Sequence, residues 1–236
     1  MTIPDYTLRY SQKAKYLQVR ISTKGLEVVV PGLKRVSQTV IDKFLEQKKA
    51  WIIRHWQRLL HAEETRVIVP LELPASLALR AIEQTWEVLY VGTGVSRIRC
   101  IANQSRQIKL LGDITNQLHC IRSLKEWLKT IAERHLSGQL EMLASEYGLP
   151  FGQLSFRYTK TRWGSCSSDK NISLCCRLLF LPPHLVKHVM LHELCHTKVM
   201  SHGVRFWKLL GKLDERCDAN RAELRKATEY VPFWAR

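Results

Sequence analysis

Three histidines and a glutamate lie within the twelve residues LHELCHTKVMSH, which run from Leu191 to His202. Residues four apart lie one turn apart on the same face of an α-helix, so His192 and His196 can direct both imidazoles at one point, as a tetrahedral Zn²⁺ requires. Glu193 projects about 100° further round the helix axis, which puts its carboxylate beside such an ion rather than on it. This pattern is typical of metal-assisted peptide hydrolysis, in which a carboxylate accepts a proton from a water molecule whose pKa the metal lowers.

A catalytic zinc site typically has three protein ligands and one open position, so a third ligand is needed. His202 is the first candidate, because it requires only that the helix end soon after His196. Ser201 could then cap the next helix and place His202 in its first turn. Glu215 is the second candidate, on the following helix, at a spacing that resembles that of thermolysin-like enzymes. We favour His202, which needs no distant geometry, and keep Glu215 as the alternative.

The pattern His-Glu-x-x-His is weak evidence by itself, because three fixed positions recur by chance in many chains. Its helical flanks and the nearby His202 strengthen the prediction of a metal site. His184 and His188 continue the four-residue spacing upstream, but the row drifts by about 40° per step, so four histidines cannot all face one ion. We therefore expect these two to face solvent or to support the ligands, and Cys195 to be a core thiol.

The charge balance of the chain bears on its partners. Its 236 residues include 37 Lys and Arg against 21 Asp and Glu, which gives a net charge of +16. Such an excess attracts polyanions, so nucleic acid is a candidate partner. The positive charge is dispersed rather than gathered into one tract, which also suits a protein that is simply basic.

The sequence predicts a cytoplasmic protein with no membrane partner. The first residues, MTIPDYTLRYSQ, lack the apolar run of a secretory signal, and no segment is long and apolar enough to span a bilayer. The seven cysteines are odd in number, in a chain large enough to fold without disulfides. We therefore expect free thiols in a reducing cytoplasm.

The first half of the chain is predicted to be rich in β structure. Residues 17–22 alternate apolar and polar side chains, and LEVVV follows a turn at Lys24–Gly25, which predicts a hairpin. Helical spacing runs from Ser37, a suitable N-cap, to about His61. Short strand-like runs between residues 64 and 112 predict a small antiparallel meander.

The second half of the chain is predicted to combine long helices with a few strands. Ser123 begins a capping box, which predicts a long helix to about Tyr147. FRYTKTRWGSC and NISLCCRLLFL are strand candidates on either side of a polar turn. Pro182–Pro183 suits the first turn of the helix that carries the histidine-rich stretch, and a last amphipathic helix is predicted to begin near His202.

Two longer segments together resemble the YgjP-like metallopeptidase domain family, which is related to the SprT-like and WLM zinc peptidases. They are RWGSCSSDKNISLCCRLLFLPP, from Arg162 to Pro183, and LHELCHTKVMSHGVRFW, from Leu191 to Trp207. The family's elements occur here in order: Arg-Trp-Gly-Ser-Cys, an Asn-Ile-x-Leu strand, a Leu-Pro-Pro turn and His-Glu-Leu-x-His-x5-His-x3-Phe-Trp. The N-terminal hairpin and the helix with AWIIRHW also fit, so the resemblance spans most of the chain and weakens over about residues 62–120.

The resemblance implies an α+β fold with a zincin-like catalytic domain. Such a domain has a small antiparallel sheet, an active-site helix and long supporting helices. We expect it at residues 116–236. The β-hairpin, the first helix and the meander are expected to form an N-terminal β-rich region at residues 1–115.

The resemblance also implies Zn²⁺ as the cofactor, held by His192, His196 and His202, with Glu193 as the general base. In related zincins, a strand ahead of the active-site helix lines the cleft and pairs with extended substrate. Residues 172–180 would take that part here and supply backbone hydrogen bonds to a peptide.

The transition state of peptide hydrolysis needs a hydrogen-bond donor near the developing oxyanion. The nearby candidates for this contact with the substrate oxyanion are Tyr158, Arg162 and Arg177. The sequence alone does not choose among them. For the segment Arg162-Trp163-Gly164 as a whole, we favour support of the sheet over a position lining the cleft.

The resulting hypothesis is a zinc-dependent metallopeptidase that acts on peptide or protein substrates, with the net charge also permitting action near nucleic acid. The alternative is a nucleic-acid-binding protein with a structural, non-catalytic zinc site. Glu193 argues against the alternative, because a structural zinc needs no base and is usually closed by a fourth ligand.

Overall fold

A computed structural model describes residues 3–22, 25–32, 36–64 and 72–236 of the chain. The chain divides into two compact units, Met1–Pro70 and Leu71–Arg236. The sequence prediction put a boundary between residues 115 and 116 instead. The structure differs because the strands between residues 76 and 112 share one hydrophobic core with the long helix that follows them.

In its described residues, the first unit contains a three-stranded sheet and one helix. Its elements are β1 (Tyr6–Ser11), β2 (Gln18–Ser22), β3 (Gly25–Pro31) and α1 (Gln38–Glu64). The predicted hairpin is confirmed, since β2 and β3 pair antiparallel, although Lys24 of its predicted turn lies outside the described residues. The start of α1 directly after Ser37 is also confirmed. β1 adds to the other side of β3 in parallel, so the strand order is β1-β3-β2.

The first sheet of the second unit is mixed, so the predicted antiparallel meander is wrong. Its strands are β4 (Ser76–Leu79), β5 (Gln84–Gly92), β6 (Arg99–Ala102) and β7 (Gln107–Gly112). The strand order is β4-β5-β7-β6, and β5 pairs with β7 in parallel. Burial explains this order, because β7 contributes the fully buried Ile108 and Leu110, whereas β6 has no buried side chain and takes the edge.

Helix α2 (Gln117–Glu146) covers this sheet and starts earlier than predicted. The side chain of Asn116 accepts a hydrogen bond from the His119 backbone N–H at 3.2 Å, so the cap lies at Asn116 and not at Ser123. Cys120 and Leu124 are fully buried one turn apart, which extends the apolar face of the helix back across the predicted start.

The second sheet of this unit leads into the histidine-rich helix. It contains β8 (Leu154–Arg157), β9 (Gly164–Cys166) and β10 (Ile172–Cys175), in the order β8-β10-β9. β10 pairs with β8 in parallel and with β9 antiparallel, so this sheet is mixed rather than antiparallel as predicted. The strand predicted over residues 172–180 ends at Cys175, and a 3₁₀ helix (Cys176–Phe180) follows. A continuous apolar run does not distinguish a buried strand from a buried helical turn.

Three further helices follow: α3 (Pro183–His196), α4 (Val204–Leu213) and α5 (Cys217–Leu224). The predicted start of α3 at the proline pair is confirmed, with Pro183 in its first turn. Short 3₁₀ helices at Ala227–Tyr230 and Phe233–Ala235 return the chain to the core, where Trp234 packs edge-on against Phe180. The architecture is therefore α+β, with small mixed sheets and five α-helices in the described residues.

The three sheets in the described part of the chain share one strand arrangement. In each sheet, one strand is followed along the chain by two strands that form an antiparallel hairpin. The second hairpin strand lies in the middle, paired in parallel with the strand before the hairpin and antiparallel with the first hairpin strand. The resulting orders are β1-β3-β2, β5-β7-β6 and β8-β10-β9. The central strand is thus always the last of the three along the chain.

Two further features bear on the sequence predictions. All seven cysteines are free thiols, five of them buried. None of the helices in the described ranges combines the length and the apolar character needed to cross a membrane.

Candidate metal centre

Three imidazoles converge where α3 ends. The Nε2 atoms of His192, His196 and His202 lie 3.0–3.2 Å from one another. Nitrogen ligands about 2.0–2.1 Å from a tetrahedral zinc ion are separated by about 3.3 Å. The spacing of the three Nε2 atoms therefore fits one shared ion.

Hydrogen bonding to the backbone orients one of these rings for ligation. The Nδ1 of His196 lies 3.1 Å from the carbonyl oxygen of Val199, which can only accept a hydrogen bond. This ring therefore carries its proton on Nδ1 and directs the Nε2 lone pair at the other two imidazoles. Three ring nitrogens that converge in this way suit one shared metal ion.

The turn after α3 returns the chain so that His202 faces His192 and His196. The Thr197 hydroxyl donates to the Leu194 carbonyl at 2.8 Å and ends the helix, and the Trp207 indole N–H donates to the His202 carbonyl at 2.9 Å. The prediction of Ser201 as the next N-cap is wrong, because α4 begins at Val204 after Gly203.

The alternative third ligand, Glu215, is exposed and does not belong to the group of three histidines. Its predicted place on the helix after His202 is also not observed, because α4 ends at Leu213 and α5 begins at Cys217. Of the two candidates, the structure brings only His202 to the other imidazoles.

The aromatic ring of Phe206 packs against all three imidazoles. This side chain is fully buried, and its ring centroid lies 4.5 Å from that of His196 and 4.8 Å from those of His192 and His202. The sequence analysis included Phe206 in the Phe-Trp pair of the family motif but gave it no role at the site. Its signal was the Phe-Trp pair that follows the third histidine.

Electrostatics favour the neutral form of His192 and His196. Burial, together with smaller effects of the neighbouring His196 and His202, lowers the pKa of His192 to about 3. Burial is also the main reason why the pKa of His196 is lowered. Neutral imidazoles can donate their lone pairs to a metal without first losing a proton.

The carboxylate of Glu193 lies beside the imidazoles, packed against the backbone of Gly164 in β9. A Cβ atom at position 164 would lie 2.6 Å from the Glu193 Oε1 and 2.7 Å from its Cγ. Burial raises the pKa of Glu193 to about 7, against an opposing effect of Arg162. Within the described ranges, no group hydrogen-bonds to this carboxylate, so it is available to a ligand. Sequence reasoning did not identify this contact of Gly164.

A cavity of about 340 Å³ joins these groups. Besides the three histidines and Glu193, it is lined by Arg162, Gly164, Ser165, Cys166 and Met200. Arg162 is thus the one predicted oxyanion-binding candidate that the structure brings to the cavity. The Tyr158 hydroxyl is buried elsewhere, and burial raises its pKa. Arg177 is buried too, where it donates to the Thr159 carbonyl and lies over the Trp163 ring at 5.0 Å.

The upstream histidines of α3 bind the chain that follows α4. His188 is buried and its Nδ1 lies 2.6 Å from Asp214 Oδ2, while Asn220 donates to the same carboxylate at 3.0 Å. His184 Nε2 lies 3.0 Å from Glu223 Oε2. These two acid–histidine pairs tie α3 to the C-terminal segment, so His184 and His188 are outside the converging group.

The sheet edge next to the cavity is β9, and not the predicted edge over residues 172–180. β10 lies in the middle of its sheet, with both sides already paired. The Trp163 carbonyl and the Ser167 N–H both bond toward the β10 side, to Cys175 and Asn171. Because backbone groups alternate along a strand, those of Gly164 and Cys166 point to the open edge.

Comparison with known proteins adds a family match. A sequence model of the YgjP-like metallopeptidase domain matches residues 15–227. Among solved structures, the chain is similar to the metallopeptidase zymogen of Methanocaldococcus jannaschii jannalysin, with 19% sequence identity over 37% of this chain and 90% of that chain. The TM-score is 0.33, which is too low to carry an argument. No curated protein matches the chain.

Proposed function

Because the chain belongs to the YgjP-like metallopeptidase domain family, we propose that it is a zinc-dependent peptidase whose ion is held by His192, His196 and His202. The observation that carries this proposal is the convergence of three Nε2 atoms beside a buried, unpaired carboxylate. Three protein ligands leave the fourth tetrahedral position open, as in catalytic zinc sites. When bound, zinc supplies Lewis acidity, which lowers the pKa of water and polarises a carbonyl group.

Glu193 acts as the general base in this proposal. Its carboxylate lies next to the three imidazoles, is held on one side by Gly164, and has no competing hydrogen bond from the described residues. It can therefore accept a proton from the attacking water and deliver that proton to the leaving amine. This second transfer is needed because an amide nitrogen leaves readily only after protonation.

Arg162 is the proposed donor to the oxyanion that develops on the scissile carbonyl. Its guanidinium is always charged, lines the same cavity as Glu193, and is the candidate of the three nearest to the proposed chemistry. A positively charged donor at such a site stabilises the transition state more than the ground state, in which the carbonyl oxygen is uncharged.

The zincin-like part of the proposal concerns how a peptide reaches the site. An extended substrate can add to the open edge of β9 through the outward backbone groups of Gly164 and Cys166. Both residues line the cavity with Glu193, so a peptide on this edge passes the base and the imidazoles.

Nucleic-acid binding is the second candidate function, favoured by the net charge of +16. In that case zinc would serve stability alone. A structural zinc is usually closed by a fourth protein ligand, and the group found in the described residues contains three. The free thiols favour a reducing compartment such as the cytoplasm for either function.

Metal content and turnover of Glu193→Gln test the proposed function. This variant is expected to bind zinc with wild-type stoichiometry and to lose peptide turnover by about 10²–10⁴-fold, because it keeps the shape of the side chain but cannot accept a proton. Glu215→Gln, which changes an exposed carboxylate, is the matched control and is expected to keep both. Wild-type turnover in Glu193→Gln would exclude this residue as the base. Zinc-independent nucleic-acid binding without turnover in any protein would favour the second candidate.

A further inference from the structure

A second cavity, of about 790 Å³, lies on the outer face of the β8-β10-β9 sheet and is called the basic groove here. Its floor is a row of small hydroxyl side chains, because Ser155, Ser173 and Ser165 lie in register across the three strands. The basic groove and the metal cavity share Arg162, Gly164, Ser165 and Cys166. The two cavities therefore adjoin each other along β9.

Positive charge dominates the basic groove. Three cations, Arg157, Lys160 and Arg162, line it together with one carboxylate, Asp169. In the part of the chain that the structure describes, none of these three cations has an ion-pair partner within 4.0 Å. Burial lowers the pKa of the nearby Lys125, and the positive charges of Lys160 and Arg177 lower it further, so Lys160 lies close enough to repel another cation. An anionic ligand would relieve this repulsion.

A peptide bound at the open edge of β9 would direct some of its side chains toward the basic groove. Side chains alternate between the two faces of a strand, so a peptide paired with the open edge of β9 directs every second side chain toward the outer face of the sheet. The groove lies on that face, beside the strand. A nucleic-acid backbone has no regular series of donors and acceptors to pair with this edge, so the observations favour a peptide.

We propose that the basic groove selects peptide substrates that carry acidic side chains close to the scissile bond. This inference rests on the proposed peptidase function and adds the substrate class to it. The serine floor leaves room for Glu and Asp side chains, and Arg157 and Lys160 supply the charges that recognise them.

A matched set of fluorogenic peptides tests this proposal on the zinc-loaded protein. The peptides share one scaffold and carry Glu, Gln or Lys at positions on either side of the cleaved bond. The variant is the double substitution Arg157→Gln/Lys160→Gln. The control is Lys109→Gln/Arg134→Gln, which removes the same charge from exposed positions outside the basic groove.

The wild type is expected to cleave the Glu peptides about fivefold to tenfold more efficiently in kcat/KM than the Gln peptides, as two exposed ion pairs allow. The preference should reside mainly in KM and fall at high salt. The double variant should lose the preference, and the control should keep it. Equal cleavage of Glu and Gln peptides, or a preference retained in the double variant, would overturn the proposal.

A binding measurement separates failure of this proposal from failure of the proposed function. Fluorescence anisotropy of labelled Glu and Gln peptides on the Glu193→Gln protein needs no turnover. Absence of cleavage of every peptide would refute the peptidase function, while preferential binding of the Glu peptide would still support the groove. A third outcome is that a single-stranded oligonucleotide binds the protein and loses affinity in the double variant, while the Glu peptide binds no more tightly than the Gln peptide. In that case the groove is a nucleic-acid site and the peptide proposal is wrong.

Discussion

Gly164→Ala is the substitution for which the structure makes the sharpest prediction. The new Cβ would lie 2.6 Å from Glu193 Oε1 and 2.9 Å from its Cδ, whereas ordinary contacts begin at 3.4 Å. The carboxylate must therefore move by about 0.8 Å, the difference between 3.4 and 2.6 Å. Gly164 does not have a positive φ, so alanine suits its backbone and the effect is confined to this contact.

A displacement of this size has a calculable effect on turnover. A misplacement of about 1 Å in a reacting group can cost about 10²-fold in rate. We expect Gly164→Ala to lower kcat by about that factor while KM and zinc stoichiometry stay near wild type. The free energy of unfolding should fall by about 1–3 kcal/mol, as for other overpacked sites.

The assay combines steady-state kinetics on a fluorogenic peptide with metal analysis and urea denaturation. Gly138→Ala is the matched control, because a Cβ there meets nothing within 4 Å and alanine favours the interior of α2. A folded, zinc-loaded Gly164→Ala protein with wild-type kcat would refute the argument that Gly164 positions the base.

The remaining predictions concern metal binding and stability. His202→Ala is expected to weaken zinc affinity more than about 100-fold in a chelator competition, since it removes a ligand rather than a supporting group, while Glu215→Ala leaves it unchanged. If Glu215→Ala alone releases the metal, the assignment of the third ligand is wrong. Adding zinc to the metal-free protein at about 1,000 times Kd should stabilise the folded state by about 4 kcal/mol, which corresponds to a rise of about 8–16 °C in Tm. Calorimetry would detect this rise, and a Tm that does not change with zinc would contradict the prediction. Asp214→Ala should cost about 1–3 kcal/mol in urea denaturation at pH 7, because it leaves the buried His188 imidazole without its partner. Burial by itself raises the pKa of Asp214, but hydrogen bonds from His188 and Asn220 outweigh this effect, so the pKa is lowered. The stabilisation by the ionised Asp214 is therefore fully present above the ordinary pKa range of Asp and is lost as the pH falls through the lowered pKa. A destabilisation that stays constant down to acid pH would contradict the electrostatic explanation.

The parts of the candidate site that could be predicted are those set by local helix geometry. The four-residue spacing of His192 and His196 fixes their relative direction whatever the rest of the fold does. The contact of Glu193 with Gly164 could not be read in this way, because it depends on how β9 packs against α3. The same holds for Phe206, whose position under three imidazoles requires the turn between α3 and α4.

In the fold, local pairing was predictable and long-range strand order was not. The β2–β3 hairpin follows from alternation and a turn, both of which are local signals. The parallel pairing of β5 with β7 depends on which strand buries more apolar surface, and this competition involves the entire core. At α2, the prediction failed because the sequence offers two capping residues, and Asn116, whose side chain accepts from the His119 backbone N–H, begins the helix before Ser123.

The repeated strand arrangement has a consequence for synthesis of the chain on the ribosome. In each sheet the strand that fills the middle leaves the ribosome after both of its neighbours. At about 5–20 residues per second, β8 waits about one to four seconds before β10 can pair with it. During that interval its unpaired backbone can associate with other chains. A translational pause that falls while the segment between β8 and β10 emerges lengthens this exposure and gives the unpaired strand more time to aggregate.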